Sequence, residues 1–308
     1  MLGATAMILT RKCFLLALTL PQLYLLNAQP ATPSFRASAG MVLVPITVTD
    51  QTGKTVLGLQ KDDFTLLDER IPRQIVSFTG EDSPASVGLV FDLSGSMRDS
   101  LGGFKNIARA FLEASNPEDE FFLLTVSDRP AALSPFTTDA AELEKKISWA
   151  QAGGRTALLD TIYLGLHFMR GARRPRRAIF VLSDGMDNFS RYSNSELMRA
   201  AVEADTQIYS VVIDDVPAGK KPIERTDEQR ARLFLDALAK NTGGVYYSVR
   251  SLAQAVEAAR DAGRAIREEY VIGYLTPDSS ASGKWRRIRV KAHVPNAMVT
   301  SRTGYYAR

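Results

Sequence analysis

From residue 87 to residue 267 the chain alternates short apolar runs with amphipathic stretches of helical period, and no other feature restricts the fold as much. Residues 87–92, 120–126, 177–183, 207–213 and 245–249 are compact apolar runs of strand length. Between them, residues 104–114 place Phe104, Ile107, Ala108, Phe111 and Leu112 at helical spacing. Residues 140–150, 157–169, 228–240 and 252–267 also read as helices, and Ser193 with Glu196 forms a capping box that opens a further one. Asn241 and Gly243-Gly244 stop the helix over 228–240. Residues 131–136, with Pro130 and Pro135 near their ends, suit an edge strand. Strands that alternate with helices imply a mostly parallel sheet covered on both faces. The expected fold class is therefore α/β, doubly wound and Rossmann-like, over residues 83–267.

The flanks have a different pattern. Residues 42–49 alternate and are followed by a turn at Gln51-Thr52-Gly53-Lys54. Strands are expected at 64–67 and 74–78 around a turn near Glu69 to Pro72, and after the α/β domain at 270–275, 286–293 and 299–306. Each flank is about 40 residues, too small to bury a core alone. The N-terminal flank, 41–82, and the C-terminal flank, 268–308, are thus expected to pair into one small β-sandwich with the α/β domain inserted in it.

Residues 1–28 read as a secretory signal: Arg11 and Lys12, then an apolar run over 14–26 broken by Pro21, then Ala28 ahead of Gln29. The run is shorter than the roughly 20 residues of a comfortable membrane helix. Cleavage before Gln29 is the expected outcome, with retention as an anchor as the alternative, because Leu26 suits the cleavage site poorly. Residues 29–40 would be a linker. Cys13 is the only cysteine and lies inside the signal, so the mature chain has no disulfide and no thiolate metal site. Losing Arg11 and Lys12, with no acidic residue, lowers the formal net charge from +4 to +2. That balance supports neither nucleic acid nor a membrane surface as partner. The protein is expected to be exported, to the periplasm or beyond the cell.

The chemistry gathers at predicted strand ends. The first apolar strand of the α/β region runs into Asp92-Leu93-Ser94-Gly95-Ser96, and the strand over 177–183 runs into Asp184-Gly185. Gly153-Gly154-Arg155-Thr156 is a tight loop ahead of a helix. Ligands of open α/β sheets bind at the carboxyl ends of strands, where strand order reverses. Two carboxylates and three hydroxyls are hard oxygen donors that suit Mg²⁺, Mn²⁺ or Ca²⁺ rather than zinc. With so few charged ligands the cation would keep an open position, which a partner's carboxylate can fill.

Asp92-x-Ser94-x-Ser96, Thr156 and Asp184-Gly185 together resemble the metal-ion-dependent adhesion site of the von Willebrand factor A domain family, over residues 83–267. The resemblance implies that Ser94, Ser96 and Thr156 coordinate the cation directly or through water. It implies the same of Asp92 and Asp184, and a ligand Asp or Glu often completes the shell. It also implies that the first and fourth strands of the domain are neighbours at the switch point. Val44-Pro45-Ile46-Thr47-Val48-Thr49-Asp50, Gly58-Leu59 with Asp63-Phe64, and Gly304-Tyr305-Tyr306 resemble a bacterial subgroup of exported proteins with this domain, best represented in acidobacteria.

The expected function is cation-dependent capture of a protein partner, with no catalytic residue. Two alternatives stand beside it. One is metal-assisted phosphoryl or ester hydrolysis with Asp92 or Ser94 as nucleophile, for which no general base stands out. The other is an envelope scaffold with a purely structural cation. No nucleophile elbow and no phosphate-binding loop is present. Asp187 reads as a solvated loop residue, and Thr156 as a concurrent helix N-cap. Arg173-Arg174-Pro175-Arg176-Arg177 reads as a solvated loop, and Lys284-Trp285-Arg286-Arg287 as a charged sheet edge. His167 and His293 are isolated and give no zinc spacing.

Overall fold

The computed structural model describes residues 40–214, 222–276 and 283–307. The expected signal and the linker up to residue 39 lie outside the described residues. Among the described residues, no helix is long and apolar enough to cross a membrane.

The central sheet has six strands: β5 (Ala85–Asp92), β6 (Glu120–Val126), β7 (Ala131–Thr137), β8 (Arg176–Ser183), β9 (Gln207–Ile213) and β10 (Tyr246–Val249). Their order is β10-β9-β8-β5-β6-β7, parallel except for the edge strand β7. Helices α1 (Leu101–Ala114), α2 (Ala140–Trp149) and α6 (Leu252–Arg267) cover one face. Helices α3 (Leu158–Phe168), α4 (Asn194–Glu203) and α5 (Pro222–Thr242) cover the other. Every residue of β5, β6 and β9 is buried, as a sheet covered on both sides requires. Alternate side chains supply the two cores: Phe180 and Leu182 face α1, whereas Ile179 and Val181 face α3. From β5 the chain moves outward to β6 and β7, then returns to place β8 on the other side of β5. The strand order therefore reverses between β5 and β8. The fold class is the expected one, a doubly wound, mostly parallel sheet with antiparallel sheets beside it.

The flanks form two four-stranded sheets, each drawing strands from both ends of the chain. Before the central sheet come β1 (Met41–Thr49), β2 (Phe64–Asp68), β3 (Ile71–Arg73) and β4 (Ser77–Thr79). After it come β11 (Tyr270–Leu275), β12 (Trp285–Ala292), β13 (Met298–Ser301) and β14 (Gly304–Tyr306). The sheet orders are β13-β1-β11-β4 and β14-β12-β2-β3. In β1 the alternation buries Val42, Val44, Ile46 and Val48. These pack with Phe64, Leu66, Ile288 and Val290 of the facing sheet in a third core, where the Phe64 and Tyr270 rings lie 5.4 Å apart.

Three local expectations are corrected. The segment 74–78 is not one strand: Glu69 and Arg70 take positive φ, so the chain turns there and resumes at Ile71. β3 is then an edge strand, where Pro72 costs no ladder bond, and β4 crosses to the other sheet to pair with β11. The segment 299–306 likewise splits into β13 and β14 around buried Arg302. Finally, β12 is an inner strand, not an edge, and Arg286 is bound to the buried Asp68 carboxylate at 3.0 Å.

The basic cluster before β8 is not wholly solvated either. The Arg176 side chain is 1% exposed. Its guanidinium donates to the carbonyls of Gly80 and Ser83 on the incoming connection, and of Ile266, Arg267 and Glu269 on the outgoing one. It thus ties together both points at which the chain passes between the flanking sheets and the α/β domain.

Candidate metal centre

The carboxyl ends of β5 and β8 meet at the reversal of strand order. Phe91 is the register partner of Leu182, so Asp92 and Ser183 end adjacent parallel strands. Asp92 is buried and fixed through both oxygens. Oδ1 accepts from the Ser94 amide at 2.9 Å and Oδ2 from the Ser183 hydroxyl at 2.6 Å. The first of these bonds closes a tight turn at the strand end. It curls the chain so that the Ser94 and Ser96 hydroxyls lie 3.1 Å apart. Asp184 is half-buried and holds the Met186 amide through Oδ1 at 3.0 Å.

Thr156 arrives by a separate route. The loop ahead of α3 is clamped to the end of β5 by Gly153 N to Leu93 O at 2.8 Å and Gly95 N to Gly154 O at 3.1 Å. Gly154 has φ +80°, and a Cβ there would sit 2.6 Å from Asp128 Oδ1, so the loop needs glycine at this point. On the other side, the amides of Asn188 and Phe189 both donate to Thr156 O at 3.0 Å, and Thr156 N donates to Asn188 Oδ1 at 3.0 Å. Thr156 is 2% exposed. Asp92, Ser94, Ser96, Thr156 and Asp184 are thereby gathered at one end of the sheet, held by three interlocked loops.

The electrostatics of this cluster are unbalanced. Burial, followed by repulsion from Asp184, pushes the Asp92 carboxyl up from 3.8 to about 6, against the hydrogen bonds from Ser183 and Ser94. A hard divalent cation would offset both causes, and two carboxylates with three hydroxyls are a donor set of matching chemistry. Among the described residues no group of three or more His, Cys, Asp or Glu converges as a metal-binding cluster. A cation here would take most of its protein ligands from hydroxyls.

Residues 87–186, the stretch that contains all five of these positions, match the family model of the von Willebrand factor type A domain. Over these residues the chain carries a von Willebrand factor type A domain. A solved von Willebrand factor type A protein from Catenulispora acidiphila has a similar fold across 86% of this chain and 73% of its own, at TM-score 0.51 and 12% identity. The von Willebrand factor domain of a type V pili tip protein from Porphyromonas gingivalis aligns over 60% of this chain and 95% of its own, at TM-score 0.47 and 13% identity. An uncharacterized protein of Borreliella burgdorferi is 24% identical over 184 residues, covering 54% of each chain. This chain thus spans about half the length of that relative.

Several residues that shape the site of this von Willebrand factor type A domain carry no signal in the sequence pattern. Ser183 holds Asp92, Asn188 holds Thr156, and Asp128 Oδ1 accepts from the Arg155 amide. Each lies in a different strand or loop from its partner, so spacing could not reveal it. Asp187 is half-buried rather than solvated. It accepts from the amides of Leu158 at 3.2 Å and Ser190 at 3.3 Å, and burial raises its pKa. The N-cap of α3 is Ala157, not Thr156, and Asp187 satisfies a first-turn amide in place of a capping side chain.

Proposed function

We propose that this protein is a divalent-cation-dependent protein-binding module. In this reading Asp92, Ser94, Ser96, Thr156 and Asp184 hold one Mg²⁺, with Mn²⁺ or Ca²⁺ as substitutes. The observation that carries the proposal is the buried Asp92 carboxylate, with the Ser94 and Ser96 side chains at the same turn and the loop of Thr156 clamped to the same strand end; burial and Asp184 raise that carboxylate to about 6. A bound cation would present positive charge and an open coordination position, which an Asp or Glu of a protein partner can fill.

A role in recognition suits the surroundings better than hydrolysis. Both Asp92 oxygens are already engaged by Ser94 N and Ser183 Oγ, and the neighbour of the Ser94 hydroxyl is another hydroxyl, not a base. The leader read from residues 1–28 would place the module outside the cytoplasm.

Calorimetric titration with Mg²⁺ and Mn²⁺, on the parent and on Asp92→Ala, tests this. Saturable one-to-one binding that disappears in Asp92→Ala is the expected result. Absence of binding at millimolar metal, or equal binding by the variant, overturns the assignment.

A further inference from the structure

The face around the candidate metal centre carries a ring of arginines that the site itself does not use. Arg98 lies in the 3₁₀ turn Gly95–Ser100 after β5, and Arg129 in the loop after β6. Arg155 precedes Thr156, and Arg191 lies in the loop after β8. The strands β5, β6 and β8 are parallel neighbours, so these loops emerge at one edge of the sheet. They are also bonded to one another: Ala157 N to Ser127 O, Arg155 N to Asp128, and Phe189 N to Thr156 O. All four arginines are exposed.

Among the described residues their charges have no acidic partner. Arg109, Arg199, Arg260 and Arg264, on helices, each meet a carboxylate at 2.6 to 2.8 Å. Arg98, Arg129, Arg155 and Arg191 form no ion pair among the described residues. Carboxylates are present nearby but face backbone amides instead. Asp128 takes the Arg155 amide, Asp160 takes the amides of Arg191 and Tyr192, and Asp187 takes those of Leu158 and Ser190. The guanidinium of Arg155 lies 3.6 Å from the ring centre of Phe189, itself 38% exposed, which braces that charge at the surface.

We infer that the partner presents an acidic protein segment with several carboxylates, not an isolated Asp or Glu. One carboxylate is directed to the cation, and its neighbours along the segment meet the guanidiniums of Arg98, Arg129, Arg155 and Arg191. The inference rests on the cation-dependent reading above and adds the partner's chemistry. Charge complementarity selects the occupant: the carboxylates of Asp128, Asp160 and Asp187 are engaged by backbone amides, whereas the four exposed guanidiniums form no ion pair among the described residues and are left to meet acidic groups of a partner.

The test uses two labelled peptides in a Gly/Ser background, one with a single Asp and one with Asp and Glu at several positions. Fluorescence anisotropy is read in Mg²⁺ and in EDTA, at low and at high salt. The proteins are the parent, Asp92→Ala, and a variant with Arg98→Gln, Arg129→Gln, Arg155→Gln and Arg191→Gln. The parent is expected to bind the acidic peptide about tenfold more tightly than the single-Asp peptide at low salt, as several exposed pairs would provide. That preference should shrink in high salt, where charges are screened within a few ångström. The four-arginine variant should lose the preference while its calorimetric Mg²⁺ affinity stays that of the parent. Equal binding of the two peptides by the parent, or a preference that survives the four substitutions, overturns the inference and leaves the metal site standing. A preference that persists in EDTA and in Asp92→Ala, or tighter binding of heparin than of the acidic peptide, also overturns it, in favour of a cation-independent polyanion surface. Loss of Mg²⁺ binding by the parent itself is the separate failure of the metal site.

Discussion

Thr156 shows how a residue can be fixed without engaging its functional atom. Its position is held by backbone bonds to Asn188 and Phe189, which a change of side chain leaves in place. Thr156→Val keeps the shape and removes only the hydroxyl. Its Mg²⁺ affinity is expected to fall about tenfold or more, with an unchanged thermal midpoint, read by calorimetry and by circular dichroism. Asp187→Ala should behave in the opposite way. It removes the acceptor for Leu158 N at the start of α3, so stability should fall by about 1 kcal/mol in urea titrations, while all five candidate ligands remain. If Asp187→Ala abolished metal binding without loss of stability, Asp187 would belong among the ligands. The five candidate positions were legible because each sits in a short motif at a predicted strand end or helix start. Ser183, Asn188 and Asp128 were not, since their roles depend on which loops meet across the sheet edge.

At the scale of elements, hydrophobic period located the α/β strands and helices well, because burial on both faces leaves an unbroken apolar run and helices keep a one-sided stripe. It failed where a single run serves two sheets, as at β3 with β4 and at β13 with β14. It also misread the arginine cluster, because composition cannot distinguish a solvated charge from one that fills a junction. Arg176 is such a case, and close to it lies Glu269, fully buried, with no hydrogen-bond partner on either carboxylate oxygen. Burial, opposed by the charge of Arg176, raises Glu269 from 4.5 to about 7. Between those values the folded chain holds a proton that the unfolded chain has released. Stability must therefore fall as pH rises from about 4.5 to about 7, and level off above that. Asp119, raised to about 6 by burial, adds a slope of the same sign, so the comparison with a variant isolates Glu269. Glu269→Gln should be more stable than the parent at pH 8 and equal to it near pH 4.5, in urea titrations across that range. A parent more stable than the variant at pH 8 would mean that the attraction to Arg176 outweighs the cost of burial. Arg176→Leu should be severe at any pH, about 3–5 kcal/mol, since it strands Glu269 and the carbonyls of both connections.

The described residues form three cores that share no residue. Two lie on either face of the six-stranded sheet and are built only from the α/β domain, and the third lies between the flanking sheets and is built only from the flanks. The join is simple in topological terms. β4 and β11 are antiparallel neighbours with Thr79 opposite Val271, so the whole α/β domain occupies the place of a hairpin loop between them. Two expectations follow from this arrangement. A fragment over 80–270, which keeps every carbonyl held by Arg176, should fold alone, unfold cooperatively and bind Mg²⁺ with the affinity of the full chain. The remainder, with residues 81–269 replaced by Asn-Gly so that Gly80 faces Tyr270, should close as an ordinary hairpin and form the sandwich. The second piece meets one obstacle. Arg302, in the break between β13 and β14, donates to Val202 O at 2.9 Å and to Asp205 at the end of α4, and both partners would be lost. Its other bonds, to Leu43 O at 3.2 Å and Gly304 O at 3.0 Å, lie within the flanks and remain. Water can reach the freed side of the guanidinium once α4 is gone, so the loss should lower the sandwich's stability without preventing its folding. Circular dichroism and urea titration of the two pieces decide the matter. If the 80–270 fragment folds and the sandwich does not, Arg302 is the residue to change, and Arg302→Gln in the full chain should then weaken the flanks while Mg²⁺ binding stays intact.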